Sequence, residues 1–172
     1  LKTLQEQRAD YVKANRFYSR ERLPQMPTTR LIGNALFSFV NKVSSGYWNV
    51  MDPTNGFTAI TRTALTQLPL QKLSEHFFFE SDMLFRLGLI RAKVEEVPLA
   101  AVYKDETSSV TIFDALCRFP VGYTRSFCKR IMYTYFLHDF NAGSVHLLSG
   151  ASLLIFGILF GVYHWIESIS SG

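Results

Sequence analysis

The sequence predicts an α/β fold that runs into amphipathic helices at a membrane interface and ends in one transmembrane helix. Three observations predict it. Segments of strand-like alternation are interleaved with segments whose apolar residues recur at three and four. Basic and aromatic residues then mix along residues 109–141, and the stretch from Val145 to Ile166 contains no Asp, Glu, Lys or Arg. At the rise of an α-helix, about 22 residues reach roughly 33 Å, enough for the hydrocarbon core of a bilayer.

Taken in order, residues 9–17 combine β-formers with a polar end and read as a strand that places Arg16 at its exit. Residues 18–27 carry two prolines and several charges, a loop composition. Thr28 or Thr29 is suited to cap a helix that runs from Arg30 to about Val43, because Leu31, Ala35, Leu36, Phe39, Val40 and Val43 share a helical period. Ser44-Ser45-Gly46 ends it. Asp52-Pro53-Thr54-Asn55-Gly56 is turn chemistry between two apolar stretches. A short helix from about Arg62 stops at Pro69. Glu80 to Ile90 is again helical in period, with Met83, Leu84, Leu87 and Ile90 inward and Asp82 and Arg86 paired at i, i+4 on the other face. Lys93 to Val102 alternates as a strand. Ser109 can cap a helix through Arg118, and Pro120 begins a second one reaching about His138 that stacks Arg125 on Lys129. These boundaries give a division into residues 1–108, 109–141 and 144–166.

Composition narrows the function classes. The net charge of +4 comes without a run of Lys or Arg. That fits an anionic membrane surface or a phosphate-bearing substrate and argues against a nucleic-acid polymer as partner. Cys117 and Cys128 lack metal or redox spacing, as do the four histidines, so no metal site is expected within the chain. The chain starts at Leu1 with neither an initiator Met nor a signal-peptide pattern, and reads as a fragment.

Three motifs occur in a telling order. Ala-Asp-Tyr-Val-Lys-Ala-Asn-Arg-Phe at 9–17 is followed by Asp-Pro-Thr-Asn-Gly-Phe at 52–57, and then by Phe-Phe-Glu-Ser-Asp-Met-Leu at 78–84 with Glu-Val-Pro-Leu at 96–99. Together they resemble the carboxy-terminal half of family 2 glycosyltransferases of the GT-A, Rossmann-like fold, particularly those related to dolichyl-phosphate mannosyltransferase and its bacterial polyprenyl-phosphate counterparts. The resemblance implies an acceptor-side half of a GT-A domain over 1–108. It also implies a missing upstream donor half whose Asp-x-Asp motif would hold Mg or Mn on a nucleotide sugar, so the fragment alone is expected to be inactive. A second transmembrane helix usually follows in such enzymes, so truncation beyond Gly172 is expected as well.

The same resemblance implies roles for individual residues. The lipid phosphate would attack the anomeric carbon of the activated sugar and invert it, with Arg16, Arg30, Asn34 and Lys104 binding that phosphate. Asp105 and Glu106, directly after Lys104, depart from the family's more basic loop. Asp52 is the carboxylate expected near the reacting centre, although Asp before Pro-x-Asn-Gly is equally a turn former. Glu80 and Asp82, two apart, do not share a helix face, so one is expected to reach the site and the other to cap the helix. Were the acceptor a sugar hydroxyl, as in cell-surface polysaccharide synthesis, Asp82 would be the better general base. A non-catalytic membrane-anchored scaffold is the alternative from another class, and self-association is left open. Basic residues 118–130 precede the span, which places its amino-terminal side, and the catalytic part, in the cytoplasm at the inner or plasma membrane. At the surface these residues would meet anionic headgroups.

Overall fold

A computed structural model describes residues 6, 8–18, 28–75, 78–99 and 119–171, without the side chains of Thr29 and Arg30. The chain divides into two compact units, Leu1–Arg130 and Ile131–Gly172.

The first unit is built on a three-stranded sheet. Strand β1 (Tyr11–Asn15) lies in the middle, with β2 (Thr58–Ile60) antiparallel on one side and β3 (Val94–Pro98) parallel on the other. All five β1 residues are buried, as expected of a central strand covered on both faces. Side chains alternate along a strand, so Tyr11, Lys13 and Asn15 share one face and Val12 and Ala14 the other. Tyr11 enters the core with Val50, Leu68, Met83, Leu84, Leu87, Ala92 and Val94. Leu84 and Leu87 are fully buried, each contributing about 2–3 kcal/mol by removal from water. Both belong to helix α3 (Phe79–Leu89), which therefore covers the Tyr11 face. The fold is a mixed helix and sheet arrangement. Three strands, one of them antiparallel, fall short of demonstrating the Rossmann-like domain implied by the motifs.

Helix α1 (Thr28–Ser45) runs two residues beyond Val43. It ends where Gly46 adopts φ +91°, a conformation that L side chains rarely adopt. Its last turn meets α3 closely: a Cβ on Gly88 would lie 2.6 Å from the Ser45 carbonyl oxygen. The short helix α2 (Arg62–Gln67) is capped by Thr61, whose hydroxyl accepts from the Ala64 amide at 3.3 Å. Strand β3 ends at Pro98, so Leu99 is no longer strand as expected; residues 100–102 of the expected strand lie outside the described residues, as does the helix expected over 109–118.

Helix α4 (Phe119–Met132) starts one residue before Pro120 and is followed by a π-helical stretch, Tyr133–His138. It is amphipathic, but one face is protein-packed. Phe119 and Tyr123 are buried against Phe37 and Phe78, and the Tyr123 and Ser81 hydroxyls are 2.8 Å apart. Those aromatic residues therefore fill the unit's own interior, while Val121, Arg125 and Lys129 are exposed. Cys128 is an exposed free thiol and Cys117 is not among the described residues.

In the second unit, α5 (Ala142–Ser171) contains the expected span and extends past both of its ends. Its most apolar 18 residues have a mean hydropathy of 2.1 and none of them is buried, so by length and composition it could cross a membrane. Asn141 caps its start, its side-chain oxygen accepting from the Gly143 amide at 2.8 Å.

Candidate active site

The three motifs converge where β1 ends. Residue Arg16 follows the strand directly, and the turn that opens with Asp52 lies against it across a sequence separation of 36 residues. The Arg16 guanidinium forms a two-pronged pair with Asp52: Nε donates to Oδ2 and Nη2 to Oδ1, both at 2.8 Å. The backbone amide of Arg16 adds a third bond to Oδ2 at 3.0 Å, and Nη2 also reaches the Thr54 hydroxyl at 3.2 Å. Asp52 is completely buried, whereas the Arg16 side chain is 31% exposed. Charge-assisted, bidentate pairing of this kind fixes the plane of the guanidinium.

Strand β3 supports the turn from below. Glu96 Oε1 accepts the amides of Met51 at 2.8 Å and Asp52 at 2.9 Å, and its Oε2 accepts from Asn15 Nδ2 at 2.6 Å. Asn55 closes the turn, donating from Nδ2 to the Ala14 carbonyl at 2.9 Å and accepting the Phe57 amide at 3.0 Å. Lys13 donates its ammonium to the Asn55 carbonyl. It is fully buried, and burial lowers its pKa to about 8, against the opposite pull of Glu80, Asp52 and Glu96. On the same strand face, burial raises the Tyr11 phenol to about 12.

Glu80 and Asp82 part company, as their spacing on a helix requires. Glu80 looks toward the turn, its Oε1 3.7 Å from where a Cβ on Gly56 would sit. Asp82 Oδ2 instead accepts from the Ser74 amide and from Arg86 Nε, each at 2.8 Å. The i, i+4 pair forms as the spacing predicts, but its face of the helix is covered. Arg86 also reaches the Lys72 carbonyl, so the 72–74 segment folds over both side chains and leaves them 13% and 7% exposed.

Of the remaining expected residues, Arg30 lies in the first turn of α1, its side chain undescribed. Asn34 is half-buried one turn further on, and Lys104 is outside the described residues. Lys13, Asn15, Asn55 and Glu96 are site residues that motif reading alone did not single out. Their signal was present: a lysine on the Tyr11 side of a strand, and an acid on the strand that pairs with it. Among the described residues no group of three or more His, Cys, Asp or Glu could hold a metal ion. The carboxylates here face Arg16 and Lys13.

No protein-family model matches the chain, and no solved structure matches it. A curated relative does: residues amounting to 56% of the chain are 27% identical, over 96 positions, to a UDP-N-acetylglucosamine–dolichyl-phosphate N-acetylglucosaminyltransferase of Methanococcus voltae. The aligned part covers 38% of that enzyme's length, so this chain, with its clamped arginine and its apolar helix, is similar to a portion of a glycosyltransferase.

Proposed function

We propose that the chain is the acceptor-side and membrane-anchoring part of an inverting GT-A glycosyltransferase of family 2. It passes a sugar from a nucleotide-sugar donor to a polyprenyl or dolichyl phosphate. The observation that carries this reading is the Arg16 guanidinium held by a buried carboxylate at the end of the central strand, in a chain with a membrane-length helix. The relative's name supports a nucleotide sugar and a lipid phosphate as the two substrates.

The chemistry follows from the charges. A phosphate monoester is already anionic near neutral pH, so an oxygen of the acceptor attacks the anomeric carbon without a strong base. The new bond forms as the bond from that carbon to the donor diphosphate breaks, the nucleoside diphosphate leaves with the electron pair, and the configuration inverts. Positioning dominates such a step. Arg16 orients the acceptor phosphate and offsets repulsion between the two anions, assisted by Arg30, Asn34 and Lys104. Asp52 has both oxygens committed to Arg16 and no exposed surface, so it acts by orienting that guanidinium. Glu80 borders the same turn. The general-base role of Asp82 on a sugar hydroxyl draws no support from a carboxylate already engaged by Arg86 and Ser74. The donor half and any Mg or Mn bound by its Asp-x-Asp motif belong to sequence outside this chain. The exposed Arg125 and Lys129 meet anionic headgroups on the cytoplasmic face, and the product serves cell-envelope glycan assembly.

The test uses the intact polypeptide in membranes supplied with polyprenyl phosphate and labelled UDP-N-acetylglucosamine, UDP-glucose or GDP-mannose. Label is expected in the organic phase for one of the donors, and Arg16→Ala is expected to abolish it. Label that stays in water for every donor, or enters polymer in the absence of lipid phosphate, would refute the reading.

A further inference from the structure

Strand β1 carries one charged residue that the transfer step above does not use. Lys13 has no exposed surface, and a buried ammonium is expensive unless it is paired and hydrogen-bonded. An apolar side chain such as its neighbour Val12 would fill a central strand without that cost. The charge has a built surrounding: the Asn55 carbonyl accepts from it, Glu80 faces it from the start of α3, Asp52 from the turn, Glu96 from β3, and Arg16 from just beyond β1. Two cations thus face three carboxylates. Asn55 is the far end of the turn that Asp52 opens, and the Asn55 amide accordingly donates to the Asp52 carbonyl at 3.4 Å.

We propose that Lys13 is a positioning residue for sugar transfer, pinning the Asp52–Asn55 turn through the Asn55 carbonyl and balancing the carboxylates behind Arg16 so that the guanidinium presents its positive field to an anionic acceptor. The proposal rests on the functional reading given above. Loss of the Lys13 proton removes one of the two cations opposed to these carboxylates and takes the charged donor from the turn. Because burial holds its pKa at about 8, that loss falls within an accessible pH range. The acceptor phosphate should then bind less well as pH rises, while the chemical step at saturating acceptor changes less.

The experiment compares the intact wild-type protein with Lys13→Arg and Lys13→Met, using the donor that labels lipid and measuring kcat and KM for polyprenyl phosphate from roughly pH 6 to pH 10. In the wild type, KM is expected to climb above about pH 8. Lys13→Arg keeps its proton, so it should hold a low KM and shift that alkaline rise up by at least about one pH unit. Lys13→Met should raise KM about tenfold at every pH and abolish the rise. A Lys13→Met enzyme with the wild-type KM and alkaline rise overturns the proposal. So does a fall in kcat that tracks the folded fraction while the rise stays in place. Should Lys13→Met fail to fold, Lys13→Arg decides alone, and an unmoved alkaline rise counts against us. Absence of lipid label from the wild type overturns the functional reading and this inference together, whereas an active wild type with an unmoved rise overturns the inference only.

Discussion

Asp52 and Asp82 are the same kind of object by most measures: buried carboxylates, each clamped by an arginine Nε at 2.8 Å. They differ in what surrounds the pair. Asp82 and Arg86 are one helical turn apart and share their site with the backbone of a short loop, so their pairing staples α3 to residues 72–74. Asp52 and Arg16 come from separate elements and share theirs with Lys13, Glu96 and Asn55, and the cation of that pair is the more exposed partner at 31% against 13%. Burial and ion pairing alone therefore do not set the two carboxylates apart. What sets Asp52 apart is a cluster of opposed charges around a partly exposed cation, the kind of grouping that gathers at functional sites.

The sharpest way to break this contrast is a matched pair of substitutions in the intact protein. Asp52→Asn should cost about a hundredfold or more in kcat/KM for polyprenyl phosphate, because a loosened guanidinium misplaces the nucleophile. Asp82→Asn should leave transfer by the folded enzyme within a fewfold of wild type and cost about 3 kcal/mol of stability, the usual penalty for removing one partner of a buried pair. Label transfer and thermal unfolding in detergent measure the two effects, and reversed phenotypes would exchange the roles assigned here.

Next in size is a pH effect confined to the Asp52 cluster. The Lys13 pKa is lowered on folding from 10.5 to about 8. Between those values the unfolded chain holds a proton that the folded chain has released, so stability should rise with pH across that window, by about 3 kcal/mol in total. Below pH 8 both states are protonated and the dependence vanishes. Lys13→Met should lack the rise, and the difference between the two unfolding curves isolates it from Tyr11, which titrates in both proteins. Equal slopes for the two proteins would show that the ammonium is not desolvated by folding.

The smallest expected effect concerns α3, the helix that carries Glu80 toward one cluster and Asp82 into the other. Alanine at Gly88 would improve helix propensity by about 1 kcal/mol, but its Cβ would meet the Ser45 carbonyl oxygen at 2.6 Å. A net loss of about 1 kcal/mol is expected, seen as a lower midpoint on thermal unfolding. A stabilised Gly88→Ala variant would mean that the end of α1 yields easily there.

What could be read directly from the chain was local. The period of Leu31, Ala35 and Phe39 gives a helix, the Asp-Pro-x-Asn-Gly run gives a turn, the i, i+4 spacing pairs Asp82 with Arg86, and the uncharged run after Ser144 gives a helix of membrane length. Each depends on residues within a turn or two of one another, or on hydropathy summed along one segment. Which carboxylate would join which cluster depended on contacts that composition and spacing do not encode. Arg16 and Asp52 are 36 residues apart, and Asn15 reaches Glu96 across 81. Lys13 shows the limit most plainly. Its strand was legible, yet its burial and its bond to Asn55 exist only because β2 and β3 flank β1 and α3 closes over its Tyr11 face. A lysine's solvation, and with it the charge it can hold near neutral pH, is a property of everything packed around it, which the tertiary structure alone decides.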